Sequence, residues 1–239
     1  MSRSDATGAA GFSIVSEVNK EGWEKSDFPV LCETCLGDNP YVRMLRAHGG
    51  FECKICSRPF TCFRWKAGSE GRHKITILCQ TCAKLKNVCQ CCVFDLEYGL
   101  PVAVRDKYLA EHEKIQLPES DVNRDYYMEQ LTKQGDAALP YGKTGSNPML
   151  QKLARLNPYY KRNQAKICSF FVKGECNRGS ECPYRHEMPE GGDLSKQSTV
   201  DRFHGNNDPV AKKILATADE RARLTAPEDQ TVTTLYVGG

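Results

Sequence analysis

The sequence predicts small metal-stabilised α+β modules joined by helices and loops, and three observations predict it. Thirteen cysteines in 239 residues fall largely in C-x-x-C pairs, a spacing that suits metal ligation where thiols stay reduced. Hydrophobic residues make up 40% and aromatics 9% of the chain, which leaves little material for one large core and favours several small units. Between the cysteine-rich stretches, an N-cap residue followed by proline twice announces a helix, at Asn147-Pro148 and Asp208-Pro209.

Residues 1–22 are small and polar and predict a mobile N-terminus, with acidic as well as basic residues and no apolar stretch of signal-peptide type. No run of eighteen apolar residues occurs anywhere, so a soluble intracellular chain without a membrane partner is expected.

Residues 23–104 read as a two-zinc cysteine-pair module. Trp23, Phe28 and Leu31 lead into the first pair and are expected to pack on it. Cys32/Cys35, Cys53/Cys56, Cys79/Cys82 and Cys89/Cys92 supply eight ligands, enough for two tetrahedral zinc ions. A redox reading would need a thioredoxin-like βαβ pattern around one pair, which is not there. Cys62 lies in Phe60–Trp65, a plausible strand, and reads as a small buried residue, whereas Cys91 competes with Cys89 or Cys92 as a ligand. His48 and His73 are alternates that eight paired cysteines make superfluous.

Spacing does not fix which pairs share an ion. A hairpin from Pro59 to Leu78 would bring Cys53/Cys56 beside Cys79/Cys82, the latter at a helix start, leaving Cys32/Cys35 to meet Cys89/Cys92. The rival is an interleaved RING-like cross-brace, which would suggest a ubiquitin ligase, although 22 residues separate the second and third pairs, far more than a RING has there. Between Cys53 and Cys92 stand eight Lys or Arg against Glu70 alone, either a solvated face or a second RNA-contacting surface. Leu96–Pro101 then reads as a turn and Val102–Val104 as a short extended stretch.

Residues 105–158 form a helical connector. Ser120-Asp121 caps a helix through about Leu131, with Val122, Tyr126 and Met128 as a partial apolar face; Gly135–Asn147 is a linker; and Met149–Leu156 is helical.

Residues 159–190 hold a zinc finger. Cys168, Cys176, Cys182 and His186 give C-x7-C-x5-C-x3-H, a soft N/S set suited to tetrahedral zinc. Gly174 and Gly179 allow tight turns round the ion, and Phe170 or Phe171 fills what core exists. From Gln151 to His186 there are eight Lys or Arg against two acids. Cations and aromatics are interleaved as single-stranded RNA recognition requires, and Tyr159, Tyr160, Lys161, Arg162, Phe171, Lys173, Arg178, Tyr184 and Arg185 are the candidate contacts. A scaffold whose basic faces are merely solvated is the competing reading. Overall charge is no guide: thiolate ligation at three sites takes the formal +3 to about −2.

Residues 191–230 are linker and helix, Glu187–Asn207 being rich in Gly, Pro, Ser and charge before a helix from Val210 to about Leu224. Residues 231–239 end on Leu235-Tyr236-Val237-Gly238-Gly239, which looks like the first strand of an RNA recognition motif, with Tyr236 as its stacking aromatic and the chain as part of a longer protein.

The finger resembles the CCCH class of RNA-binding zinc fingers, in which aromatics two residues after the second and third cysteines stack on unpaired bases. Tyr184 matches the second and Arg178 stands at the first. The order of a paired-cysteine module, Asp95-Leu96-Glu97-Tyr98-Gly99-Leu100-Pro101, Tyr159-Tyr160-Lys161-Arg162-Asn163, the finger and the Leu-Tyr-Val-Gly-Gly ending resembles the RNA-binding motif protein 22 family of pre-mRNA-splicing factors. That resemblance implies a nuclear protein of the activated spliceosome, associated with the Prp19-related complex, contacting U6 snRNA and the intron near the 5′ splice site. With no Ser/His/Asp set, phosphate-binding glycine loop or open zinc site in the sequence, a non-enzymatic scaffold is expected.

Overall fold

The structure, a computed structural model, describes residues 27–39, 41–68, 71–118, 120–135, 139, 141–142, 146–189 and 197–222. The N-terminus expected over residues 1–22, Trp23, and the RNA-recognition strand with Tyr236 over 231–239 lie outside them.

The first module is built round a three-stranded antiparallel sheet in the order β1-β2-β3, from Met44–Glu52, Pro59–Lys66 and His73–Ile75. The hairpin expected after Pro59 is β2-β3, with Arg64 opposite Ile75 and Lys66 opposite His73. Strand β1 is an addition that its mixed sequence did not announce. Along β2 the alternation is strict at its end: Phe63 and Trp65 are buried while Arg64 and Lys66 are exposed, as the two-residue period of a strand dictates. Cys62 is buried in the same strand, as its small apolar character predicts.

Two short helices flank the sheet, α1 (Glu33–Leu36) and α2 (Gln80–Leu85). Each begins directly after a cysteine: Cys32 is the N-cap of α1 and Cys79 that of α2. Gln90 fastens the module internally. Its side chain accepts from the Val30 amide at 2.7 Å and donates to the Leu78 carbonyl at 2.8 Å. Leu31 packs here as expected, but the Phe28 ring is 59% exposed; the residue contributes its carbonyl, which accepts from Gln80 at 2.9 Å.

The expected extended stretch over Val102–Val104 is instead the start of a helix, α3 (Val102–Tyr108), with Pro101 at its N-cap. Pro101 presets the entry, and burial of Val102 and Val104 on neighbouring cores outweighs the β preference of valine. Helix α4 (Asp121–Gln134) corresponds to the predicted connector helix, but its buried face differs. Met128 is fully buried, with Tyr127 and Leu131 against the same core, while Val122 and Tyr126 are 77% and 64% exposed. Val122 and Tyr126 share one face at i,i+4, and Met128 lies round the helix from them. Helix α5 (Pro148–Leu153) is capped by Asn147 as predicted, its side chain accepting from the Met149 amide at 3.0 Å.

The finger carries one further helical turn, α6 (Ser169–Val172). The linker expected across Glu187–Asn207 is interrupted by α7 (Thr199–His204), capped by the Ser198 side chain and closed by Gly205 in the left-handed region at φ 79°. Burial drives this turn: Phe203 is wholly buried in the first module's core. Helix α8 (Pro209–Ala222) follows, and Ala211 packs with Tyr98, Leu100, Val104 and Leu150. The modules are thus not independent beads, since the helices after the finger return to the core before it. No described helix is long and apolar enough to cross a membrane.

Candidate metal centres and nucleic-acid interface

The fold gathers twelve of the cysteine and histidine side chains into three quartets: Cys32, Cys35, Cys89 and Cys92; Cys53, Cys56, Cys79 and Cys82; and Cys168, Cys176, Cys182 and His186. In each, all ligand atoms lie within 4.8 Å of one another. The β2-β3 hairpin decides the pairing, by folding the second and third pairs together and leaving the first to meet the fourth. The pairing is nested, not interleaved, so it is not the RING cross-brace. His48 and His73 join none of the quartets. His48 instead stands 3.4 Å from the Thr61 hydroxyl across the sheet.

The quartets fit zinc dimensionally. Sulfurs placed 2.3 Å from a tetrahedral ion stand about 3.8 Å apart. The observed separations are 3.6 Å for Cys32–Cys92, 3.6 Å for Cys56–Cys79, and 3.7, 3.8 and 3.9 Å among the three finger cysteines. A disulfide would need about 2.05 Å. In the finger, His186 Nε2 is buried without a hydrogen-bond partner, the orphan a bound ion would satisfy. Phe171 stacks on that imidazole, ring centroids 4.6 Å apart and planes 5° from parallel, fixing its orientation. Three zinc ions match the three clusters.

Electrostatics agree. Cys35 is held far below the ordinary thiol range, chiefly by its hydrogen bond with Cys32, and Cys53 likewise by Cys56. Cys79 and Cys82 are pushed well up, chiefly by hydrogen bonds with Cys53. Buried thiols that compete in this way for shared protons cannot all ionise without a cation among them. Around the ligands, donors are already in place: the Cys79 amide donates to Cys53 Sγ at 3.3 Å, the Cys82 amide to Cys79 Sγ at 3.4 Å, and the Phe171 amide to Cys168 Sγ at 3.4 Å. The first quartet receives a charged donor, the buried Lys74, whose Nζ stands 3.3 Å from Cys35 Sγ. Cys91 is not a member of this quartet but lies against Cys35.

The finger is docked on the first module by backbone and side-chain bonds. The Arg72 amide donates to the Asn163 carbonyl at 2.9 Å, Gly71 bridges Gln164, Asn163 Nδ2 donates to the Thr34 carbonyl at 2.6 Å, and the Tyr159 amide donates to Thr34 Oγ1 at 3.1 Å. A Cβ on Gly71 would lie 1.8 Å from the Ala67 carbonyl oxygen of the same β2-β3 turn, so only glycine fits at the point where that turn meets Gln164.

The candidate RNA residues therefore divide. Tyr160, Lys161 and Arg162 lie on a 3-10 turn beside α1, with Tyr159 at its N-cap, and much of this run makes the junction. Arg155 lies 4.7 Å over the Tyr159 ring and Arg162 4.2 Å over Phe94. The Tyr160 hydroxyl is pushed upward in pKa by desolvation and then by Glu33 and Asp38. The cavity that Arg162 lines, about 220 Å³, also contains Glu33, Asp95 and Glu97, acids that repel phosphate. Phe171 gives one face to His186, whereas Phe170 is 60% exposed. Lys173 and Arg178 are exposed on the finger surface.

Tyr184 and Arg185 go elsewhere. They line a cleft of about 730 Å³ between finger and sheet, opposite Arg64, Lys66 and Arg72 and beside Lys166, with no Asp or Glu among the described residues of its lining. Tyr184 is 49% exposed there. Arg185 is braced by the Ala165 carbonyl at 2.9 Å and pairs with Glu187 at 2.7 Å. The sequence held one sign of the sheet's part in this cleft, the alternation that puts Arg64 and Lys66 on one exposed face.

Residues 29–139 match the family model described as STL11, N-terminal, and residues 154–205 match the Torus domain model. The second match runs from α5's end through the finger into α7, across the boundary expected at residue 190. Zinc finger CCCH domain-containing protein 49 of Oryza sativa subsp. japonica is 56% identical over 230 residues, covering 95% of this chain and 47% of that protein. Zinc finger CCCH domain-containing protein 40 of the same organism and protein 4 of Arabidopsis thaliana are also 56% identical over 230 residues, with 48% of each covered. The chain spans about half the length of the curated relatives it matches. The relatives it matches are CCCH zinc finger domain-containing proteins, and it is similar to both the STL11 N-terminal and the Torus family models.

Proposed function

We propose that this protein is a non-enzymatic RNA-binding factor of pre-mRNA splicing, a zinc-stabilised scaffold that works in the nucleus. In this reading it contacts U6 snRNA and intron RNA near the 5′ splice site of the activated spliceosome, beside proteins of the Prp19-related complex. The observation that carries RNA binding is the half-exposed Tyr184 held between the third and fourth zinc ligands and surrounded by cations, since a fixed aromatic face with adjacent positive charge is what unpaired bases and their phosphates require. The splicing assignment rests on the resemblance of the ordered motifs, in which Leu235–Gly239 would open an RNA recognition motif. The zinc quartets have the closed, four-ligand character of structural sites, so the protein's part is to position RNA.

Crosslinking in nuclear extract followed by sequencing of the attached RNA tests the reading. U6 snRNA and intron sequence next to 5′ splice sites are expected on the peptide spanning Lys166–His186. In binding assays Tyr184→Ala is expected to weaken single-stranded RNA by about 1–3 kcal/mol, and Lys173→Ala with Arg178→Ala to flatten the salt dependence. Unchanged affinity and slope in both variants would refute RNA binding by the finger.

A further inference from the structure

We infer that the cleft between the sheet and the finger is a composite binding site for a short single-stranded RNA segment, in which the first module supplies half of the phosphate-binding charge. The inference rests on the RNA-binding reading above and extends it to residues remote from the finger in sequence. Arg64 and Lys66 project from one face of β2, and Arg72 stands at the entry to β3. Lys166, Tyr184 and Arg185 face the same space from the finger. Among the described residues, none of Arg64, Lys66, Arg72 and Lys166 is engaged in an ion pair, and all four are exposed. Four cations that lack ion-pair partners and line one cleft repel one another, so their convergence is stabilised when an anion enters.

The size and lining of the cleft select the ligand class. At about 730 Å³ it has the volume of a ligand pocket, which suits a few unpaired nucleotides. One wall offers the Tyr184 ring and the other three cations beside the smaller His73 imidazole, so the bases lie toward Tyr184 and the phosphates toward Arg64, Lys66 and Arg72. The Gly71–Gln164 bridge and the Arg72–Asn163 bond fix the spacing of the walls, so the two modules bind as one preorganised surface instead of as two tethered ones.

The test compares three variants of the full chain, each checked for unchanged zinc content and circular dichroism, using labelled oligouridylate and an RNA duplex of equal length. Arg64→Gln/Lys66→Gln/Arg72→Gln leaves the finger intact and is expected to lower oligouridylate affinity about tenfold or more at moderate salt and to reduce the salt slope by about 2, at roughly 0.7 for each phosphate no longer neutralised. Lys54→Gln/Lys212→Gln/Lys213→Gln removes the same charge from exposed positions outside the cleft and is expected to change affinity less than threefold, or about 0.5 log unit. Equal losses in the two triple variants, or duplex bound as tightly as oligouridylate, would overturn the composite site. If the sheet variant binds normally while Tyr184→Ala does not, the cleft proposal fails and RNA binding by the finger stands; if both bind normally, both readings fail.

Discussion

Replacing Asp95 with alanine tests how the turn after the second zinc-binding stretch is held. Asp95 is fully buried, and its Oδ1 pairs with Arg105 Nη1 at 2.9 Å, the arginine side chain being 8% exposed. Its Oδ2 accepts the Glu97 and Tyr98 amides at 3.0 and 2.8 Å. Arg105 also donates to the Lys86 carbonyl and pairs with Asp106 at 2.9 Å, so one guanidinium ties the turn, α2 and α3 together. Asp95→Ala orphans two amides and leaves the guanidinium with Asp106 alone. Removing one partner of a buried pair costs about 3–5 kcal/mol, and the remaining carboxylate places the expected loss near 3 kcal/mol, with about 1–2 kcal/mol added by the buried Tyr98 amide. Asp95→Asn keeps an acceptor for the amides and should lose roughly half as much. The assay is guanidinium unfolding of zinc-loaded protein at fixed free zinc, followed by far-UV circular dichroism. A loss below about 1 kcal/mol for Asp95→Ala would show that the pair behaves like an exposed one and that the reasoning is wrong. Asp95→Leu with Arg105→Met should be less damaging than Asp95→Ala alone, because no fully buried charge is left unpaired and Asp106 keeps Lys86 at 3.9 Å.

Metal analysis of the folded chain should give three zinc ions, and His186→Ala should release one while the two cysteine quartets keep theirs, read by metal content and by loss of structure confined to the finger. Chelation should unfold the finger, since apparent zinc binding of about 10–16 kcal/mol in such units is their folding free energy; a finger that stays folded without zinc would contradict this. Lys74→Met should speed zinc release from the Cys32 quartet and leave the Cys53 quartet unchanged, measured by transfer to a chromogenic chelator, because it removes the charged donor that steadies the Cys35 thiolate. Gly71→Ala should distort the β2-β3 turn, since its Cβ would have to move more than an ångström from the Ala67 oxygen, and the resulting shift of the Arg72–Asn163 bond should be detected as new proteolytic sensitivity at the finger junction.

The ligands were legible because metal sites are written in local spacing: each C-x-x-C and the C-x7-C-x5-C-x3-H run names its own members. Their pairing was half legible, since it depends on a hairpin that Phe60–Trp65 suggests and only folding confirms. Helix α3 was misread because valine's β preference is local while its burial is tertiary. Helix α7 was hidden in a polar stretch, and its purpose depends on Phe203 meeting a core more than a hundred residues earlier. The basic cleft was beyond sequence reasoning for the same cause. Arg64 and Lys66 stand about a hundred residues before Lys166 and Tyr184, and nothing in either segment shows that the backbone bonds of Gly71 and Arg72 to Gln164 and Asn163 bring them face to face.

The nesting of the two cysteine quartets has a consequence for how the chain acquires its metals. Closing Cys56 on Cys79 spans 22 intervening residues, whereas closing Cys35 on Cys89 spans 53. Once the inner knot is tied, the outer loop is shortened by the bypassed hairpin to roughly 23 free residues, which lowers its closure entropy by about 0.7 kcal/mol. Loading is therefore ordered by loop length, the shorter inner loop closing first, and because coupling between two sites is reciprocal each ion assists the other by the same amount. Under zinc scarcity the chain should lose its metals from the outside in, and the sheet that carries Arg64 and Lys66 should be the last part of the first module to come apart.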